Sequence, residues 1–294
     1  MTGGQFPANG PWWDAIRDRT GSPYQIRRLP GAGGPGCWRV QGPLGSVVLK
    51  PDVPRRERLF YEHFAPRLAD KGLATPRLHA SGTAPDWIVL EWVERSLSYS
   101  AWGRDSGVFA YLATWHEAGR EIMGRFDESF RFRGPGLNQE AVVSLLPKVP
   151  AGQILHLIHE SLEQFHGLLE PVSWVHGDTN PTNWLVASDG TRVLTDWSRY
   201  GQAHPAMDVA IFLPALPTPS QIRDAAQRYA RVQNSPGKKP KIQELCRNIA
   251  FAKLWSVIDF LGMVWRGEVT EAAQPALIML QASLEQWVPA VFSL

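Results

Sequence analysis

Trp174-Val-His-Gly-Asp-Thr-Asn-Pro-Thr-Asn-Trp-Leu-Val186, followed by Val193-Leu-Thr-Asp-Trp197, is the stretch on which the reading of this chain turns. Short β-forming runs at Ser173–Val175, Trp184–Ala187 and Arg192–Thr195 predict strands, the last two joined by Ser188-Asp-Gly190 as a hairpin. Between the runs stand Asp178, Asn183 and Asp196, and a hairpin would bring the oxygens of the last two together. Transfer of a phosphoryl group to a hydroxyl asks for this set of residue types. The hydroxyl must lose its proton, and the charge on the leaving phosphates must be offset by Mg²⁺ and cationic donors. Asp178 is the candidate proton acceptor (the catalytic residue), with Asn183 and Asp196 as hard oxygen ligands for the metal. Singly, each could equally be a turn residue capping nearby backbone, as Asp and Asn often are. The three in this order, with strands between them, point to the site.

His176-Gly-Asp, four residues, Asn183 and then Asp196-Trp resemble the catalytic and metal-binding motifs of the aminoglycoside phosphotransferase and choline kinase superfamily. The resemblance runs from about Tyr24 to Pro214 and fades in the C-terminal helices. It implies an α+β, protein-kinase-like two-lobed fold. Residues 1–94 would form a β-rich nucleotide-binding lobe and 95–294 a mainly helical lobe for catalysis and the acceptor. It implies ATP or GTP with Mg²⁺, and as acceptor a hydroxyl of an antibiotic, amino alcohol, sugar or amino acid. His176 would shape the loop rather than carry protons. Gly201-Gln-Ala-His-Pro-Ala-Met-Asp208 is similar to the segment after the metal aspartate, where Asp208 would brace the catalytic region. Leu90-Glu-Trp-Val93 would be the hinge, with Glu91 and Val93 as the backbone positions for a purine edge. Arg199 resembles a basic residue of some antibiotic kinases.

Upstream, strand-like runs at Tyr24–Leu29, Cys37–Val40 and Ser46–Lys50 suggest an antiparallel meander, after a short helix that ends at Gly21. Gly31-Ala-Gly-Gly-Pro-Gly36 fits G-x-G-x-x-G, yet a strand follows it where a dinucleotide-binding fingerprint needs a helix. Gly31, Gly33 and Gly36 are therefore candidates for a loop over nucleotide phosphates, or simply a glycine-rich hairpin turn. Lys50 ends the third run, where a lysine could grip the α- and β-phosphates. The amphipathic stretch Arg55–Asp70 offers it two partners, Glu57 and Glu62, and Glu57-Arg-Leu-Phe-Tyr matches a pattern of the resembling kinases. Asp86–Val93 reads as another strand.

The remainder looks helical at Val108–Met123, at Ile154–Leu169 and beyond Ser220, with a break at Ser235-Pro-Gly. Trp255 and Asp259 lie four apart on one helix face, with Trp265 further on. They could form a cation–π and carboxylate site for an amine, or a plain amphipathic core helix. With 30 basic and 28 acidic residues, the chain has no electrostatic case for nucleic acid. Two distant cysteines argue against a disulfide framework or a zinc cluster and suit a reducing cytosol. The first residues read as no signal peptide, and no apolar stretch is expected to reach the ~20 residues of a membrane helix. A cytoplasmic protein with no membrane partner is the expectation. The thirteen tryptophans read as packing residues. Two other functions compete: a hydrolase holding a metal on His176, Asp178, Asp196 and His204, and a nucleotide-binding pseudokinase.

Overall fold

Period-two alternation of buried and half-buried residues marks Cys37–Gly42 and Gly45–Lys50, the middle of the sheet in the first third of the chain. In the computed structural model, which describes residues 6–7, 10–29, 36–124, 128–131, 144–145, 156, 162–233, 241–268 and 274–293, the strands β1 (Gln25–Leu29), β2 (Cys37–Gly42), β3 (Gly45–Lys50), β4 (Leu78–Gly82) and β5 (Trp87–Glu91) form one sheet. All are antiparallel, in the order β1-β2-β3-β5-β4. One face carries Trp38, Val40, Val47, Leu49 and Val89, which close on Trp12 and on Ile16 of the helix Trp13–Thr20. Each such side chain, fully buried, contributes roughly 1.5–3 kcal/mol. At Gly42 an added Cβ would lie 2.2 Å from the Thr20 carbonyl oxygen, so only glycine lets the helix end meet the β2–β3 turn.

Contacts divide the chain into two compact units. The first joins Met1–Ser96 to Trp184–Arg199, and the second joins Leu97–Asn183 to Tyr200–Leu294. Besides the large sheet, the first unit holds a small antiparallel one of β6 (Arg95–Ser96), β8 (Trp184–Val186) and β9 (Arg192–Leu194), order β6-β8-β9. The hairpin over Ser188-Asp-Gly190 is thus present. The second unit pairs β7 (Ser173–Val175) with β10 (Gly201–Ala203) against helices Ser106–Met123, Leu162–Leu169, Ala206–Phe212, Pro219–Val232, Ile242–Trp265 and Gln274–Phe292. Asp105 caps the first of these through Val108 N (2.9 Å), and Thr218 opens Pro219–Val232 with a capping box to Gln221. Trp115, Trp174, Trp184 and Trp197 are among the largest fully buried side chains, so packing explains most of the tryptophan content.

The structure differs from the sequence-based expectations at three places. The stretch Arg55–Asp70 is not one regular helix: Arg55–Leu59 passes through a π-helical turn, Phe60–Phe64, into Ala65–Ala69. Pro66 lacks an N–H and its ring crowds the carbonyl four residues back, so the ladder widens there. Phe60 and Tyr61 are consequently both buried, while Leu59 and Phe64 are only half-buried. Second, β4 was not legible, because Leu-His-Ala-Ser-Gly has little strand character of its own and is held by pairing with β5. Third, Ile242–Trp265 is 24 residues long and by length and composition could span a membrane. It is apolar on several faces because it packs inside the protein, with 61% of its most apolar window buried. Gly31, Gly33, the break at Ser235 and most of the stretch before Leu162 lie outside the described residues.

Candidate active site

Lys50 closes β3 on the face opposite Val47 and Leu49, and after Pro51–Val53 the N-cap Pro54 starts the helix that carries Glu57. The Glu57 amide donates to the Pro54 carbonyl at 2.8 Å, fixing the helix entry. The Lys50 ammonium donates to Glu57 Oε1 at 2.6 Å and to Asp196 Oδ1 at 3.1 Å. The Glu57 side chain is 2% exposed, Lys50 16% and Asp196 38%, so the triad grades from interior to solvent. Burial pushes the ammonium towards losing its proton, but the two carboxylates outweigh it and hold Lys50 well above the ordinary lysine range. Glu62, the other candidate, is bound instead by Arg58 (2.6 and 2.8 Å) and by the Ser81 hydroxyl (2.6 Å). Arg58 also reaches Asp86 at 2.8 Å and ties the helix to the sheet.

Asp196 follows β9 with φ +65°, a left-handed conformation rare for a residue with a Cβ. Its neighbours impose that shape. Trp197 stacks on Phe60 at 4.0 Å with rings 10° apart, and donates its indole N–H to the Leu194 carbonyl at 3.0 Å. Ser198 Oγ donates to Asp196 Oδ1 at 3.2 Å. The π-helical turn that buries Phe60 is therefore what seats the residue after Asp196.

In the second unit, the loop after β7 is gathered by one carboxylate. Asp208, fully buried near the start of helix Ala206–Phe212, accepts the His176 amide at Oδ2 (2.8 Å) and the Gly177 amide at Oδ1 (2.9 Å). Gly177 has φ +78°, which presents successive amides to the same acceptor. Thr179 Oγ1 donates to the Asp208 backbone oxygen at 2.5 Å. Both sides of half-buried Asp178 are thus fastened to one residue. His176 Nδ1 accepts the Asp178 amide at 3.2 Å, a loop-shaping contact. Asn183 Nδ2 donates to the Asp178 carbonyl at 2.9 Å. The amide of Asn183 and the carboxylate of Asp196, each in its own unit, are hard oxygen donors of the type that Mg²⁺ takes.

Glu91 ends β5, exposed, with its amide bonded to the Arg77 carbonyl at 2.8 Å; Val93 is half-buried beyond it. Gly36 has φ +102° just before β2. Trp255 is only 6% exposed and belongs to the core, as an amphipathic core helix requires, while Trp265 is 45% exposed. For the hydrolase reading, no group of three or more His, Cys, Asp or Glu that could hold a metal occurs among the described residues. His204 Nδ1 accepts the Ala206 amide at 3.1 Å. Three residues around the loop were missed: His116, Tyr229 and Thr179. No local pattern marks His116, which stands between Trp115 and Glu117 on its helix.

The antiparallel sheet, the helical part and the braced loop make this a protein-kinase-like phosphotransferase fold. The chain belongs to the phosphotransferase enzyme family, whose family model matches residues 25–244. A search of curated proteins finds no match. Among solved structures, the choline kinase LicA from Streptococcus pneumoniae is similar at 15% identity and TM-score 0.60, over 96% of this chain and 99% of that one. An aminoglycoside phosphotransferase from Alicyclobacillus acidocaldarius aligns at 16% identity and TM-score 0.60, over 100% and 98%. A spectinomycin phosphotransferase, solved with ADP and spectinomycin, aligns at 11% identity and TM-score 0.58, over 96% and 97%.

Proposed function

We propose that this protein is a cytoplasmic small-molecule kinase, moving the γ-phosphate of ATP or GTP to a hydroxyl of a hydroxylated amine, antibiotic, sugar or amino acid. The observation that carries the reading is the Lys50–Glu57–Asp196 cluster, with Nζ 2.6 and 3.1 Å from the two carboxylates. A lysine held cationic and aimed by a buried glutamate is a donor for phosphate oxygens, and it serves no packing purpose that an apolar residue would not serve better. Glu91 and Val93 would meet the purine, Gly31, Gly33 and Gly36 the phosphates, all within residues 1–94. Asp178 would accept the proton of the acceptor hydroxyl as the bond to phosphorus forms. Asn183 and Asp196 would hold Mg²⁺, which when bound offsets charge on the transferring group. The acceptor class draws on choline, aminoglycoside and spectinomycin kinases among the similar structures.

The test is acceptor-stimulated nucleotide consumption, with ATP and GTP each offered against choline and ethanolamine, aminoglycosides, sugars and amino acids. Mg²⁺-dependent turnover raised by one acceptor class supports the reading. Nucleotide binding with no turnover against any of them would make the protein a pseudokinase.

A further inference from the structure

We infer that Tyr229 is a positioning residue for the loop that carries Asp178, acting through His116 and Asp208; this rests on the kinase reading of Asp178. Helix Pro219–Val232 brings the Tyr229 hydroxyl to 2.7 Å from His116 Nδ1, and His116 Nε2 lies 3.0 Å from Asp208 Oδ2. All three side chains are buried: Tyr229 is 1% exposed, His116 7% and Asp208 0%. The same Asp208 oxygen accepts the His176 amide, so the two bonds use its two lone pairs and together fix one rotamer of the carboxylate.

The hydrogens can be assigned from this geometry. A carboxylate only accepts, so His116 Nε2 carries a hydrogen and donates it to Asp208. Burial, then the nearby acids Asp208 and Glu117, push the Tyr229 phenol far above its usual range, so it keeps its proton. A buried O–H without an acceptor is destabilising by about 1–3 kcal/mol, and His116 Nδ1 is the acceptor at hand. Tyr229 therefore donates to Nδ1 and holds His116 with its ring hydrogen on Nε2. In the other tautomer a lone pair would face the Asp208 carboxylate, and the loop amides at His176 and Gly177 would lose their fixed acceptor. His116 also accepts the Ser173 hydroxyl on its backbone oxygen (2.8 Å), so its helix holds the strand leading into the loop as well. The relay thus reaches Asp178 from a helix fifty residues on, without touching any reacting group.

Tyr229→Phe removes one hydroxyl and keeps the ring. ¹⁵N spectra of the nucleotide-free protein should show, in the wild type, a bare Nδ1 and a protonated Nε2 for His116, and in the variant a changed Nδ1 signal. Amide exchange at His176 and Gly177 should quicken about tenfold. With an acceptor in hand, kcat should fall on the order of tenfold with nucleotide KM within about twofold. Ile222→Val, a buried trim on the same helix away from the relay, should leave kcat and the His116 signals unchanged. Unaltered His116 signals and unaltered exchange in Tyr229→Phe would overturn the inference, whatever the activity. So would altered spectra with wild-type kcat in a protein that Asp178→Asn inactivates. If Asp178→Asn stays active, the kinase assignment of Asp178 is what fails, and the spectra still judge the tautomer.

Discussion

The Lys50 ammonium sits 2.6 Å from Glu57 Oε1, with the carboxylate almost wholly buried, while Glu62 five residues on is turned to Arg58 and Ser81. Removing Glu57 leaves an interior cation with only half-exposed Asp196 to balance it. Breaking a buried pair from one side costs about 3–5 kcal/mol. Glu57→Ala is therefore expected to lower urea stability by about that much and to weaken nucleotide use. Glu62→Ala should lose only about 1 kcal/mol and leave nucleotide KM alone. Equal kinetic damage from both would dissolve the distinction.

Asp178 depends on different physics, since its worth lies in one proton transfer. Asp178→Asn keeps the volume and the loop bonds to Asp208, so thermal stability should stay within about 0.5 kcal/mol of wild type. The chemical step should fall by roughly 10²–10⁴, the usual worth of a positioned base. Single-turnover measurement with a true acceptor would check this, and a near-normal rate would remove Asp178 from the chemistry.

How much of this was legible in the chain depends on range. The meander, the hairpin over Ser188-Asp-Gly190 and the late helices were readable because period two and period 3.6 are local properties. The turn at Phe60–Phe64 was not, because side-chain periodicity carries no trace of the missing N–H of Pro66. The pairing of β4 was not, because its neighbours rather than its residues make it a strand. Asp178, Asn183 and Asp196 stood out as chemistry-bearing types near turns. His116 and Tyr229 did not: they are 113 positions apart and meet only through packing, and neither position carries a local pattern.

Asp196 is the next test. Its carboxylate would supply the anionic ligand for Mg²⁺ and also faces Lys50 at 3.1 Å. Asp196→Ala should abolish Mg²⁺-dependent turnover, whereas Asn183→Ala, losing a neutral oxygen that water can replace, should be milder. Calorimetric titration should find Mg²⁺ bound weakly by the protein alone and tightly with a non-hydrolysable nucleotide. Tight binding without nucleotide, unmoved by Asp196→Ala, would place the metal elsewhere.

Lys253 yields a pH dependence of stability. It is buried in helix Ile242–Trp265, its ammonium donating to the Leu213 carbonyl at 2.6 Å, and burial pushes its pKa down to about 7. In the unfolded chain a lysine titrates near 10.4. Above both values the lysine is neutral in both states and contributes no pH dependence. As pH falls from about 10 to about 7, the unfolded chain takes up the proton while the folded one does not, and stability drops by about 1.4 kcal/mol per pH unit. Below about 7 both states bind the proton and the penalty levels off. Lys253→Met removes the group but strands the Leu213 carbonyl, which costs about 1–3 kcal/mol at every pH. The difference in stability between Lys253→Met and wild type should therefore favour the variant most at pH 6–7. It should shrink steadily towards pH 10, as read from urea midpoints across that range. A difference that stays flat with pH would mean that Lys253 keeps its charge in the folded protein throughout, with its carbonyl contact sufficing to hold the proton.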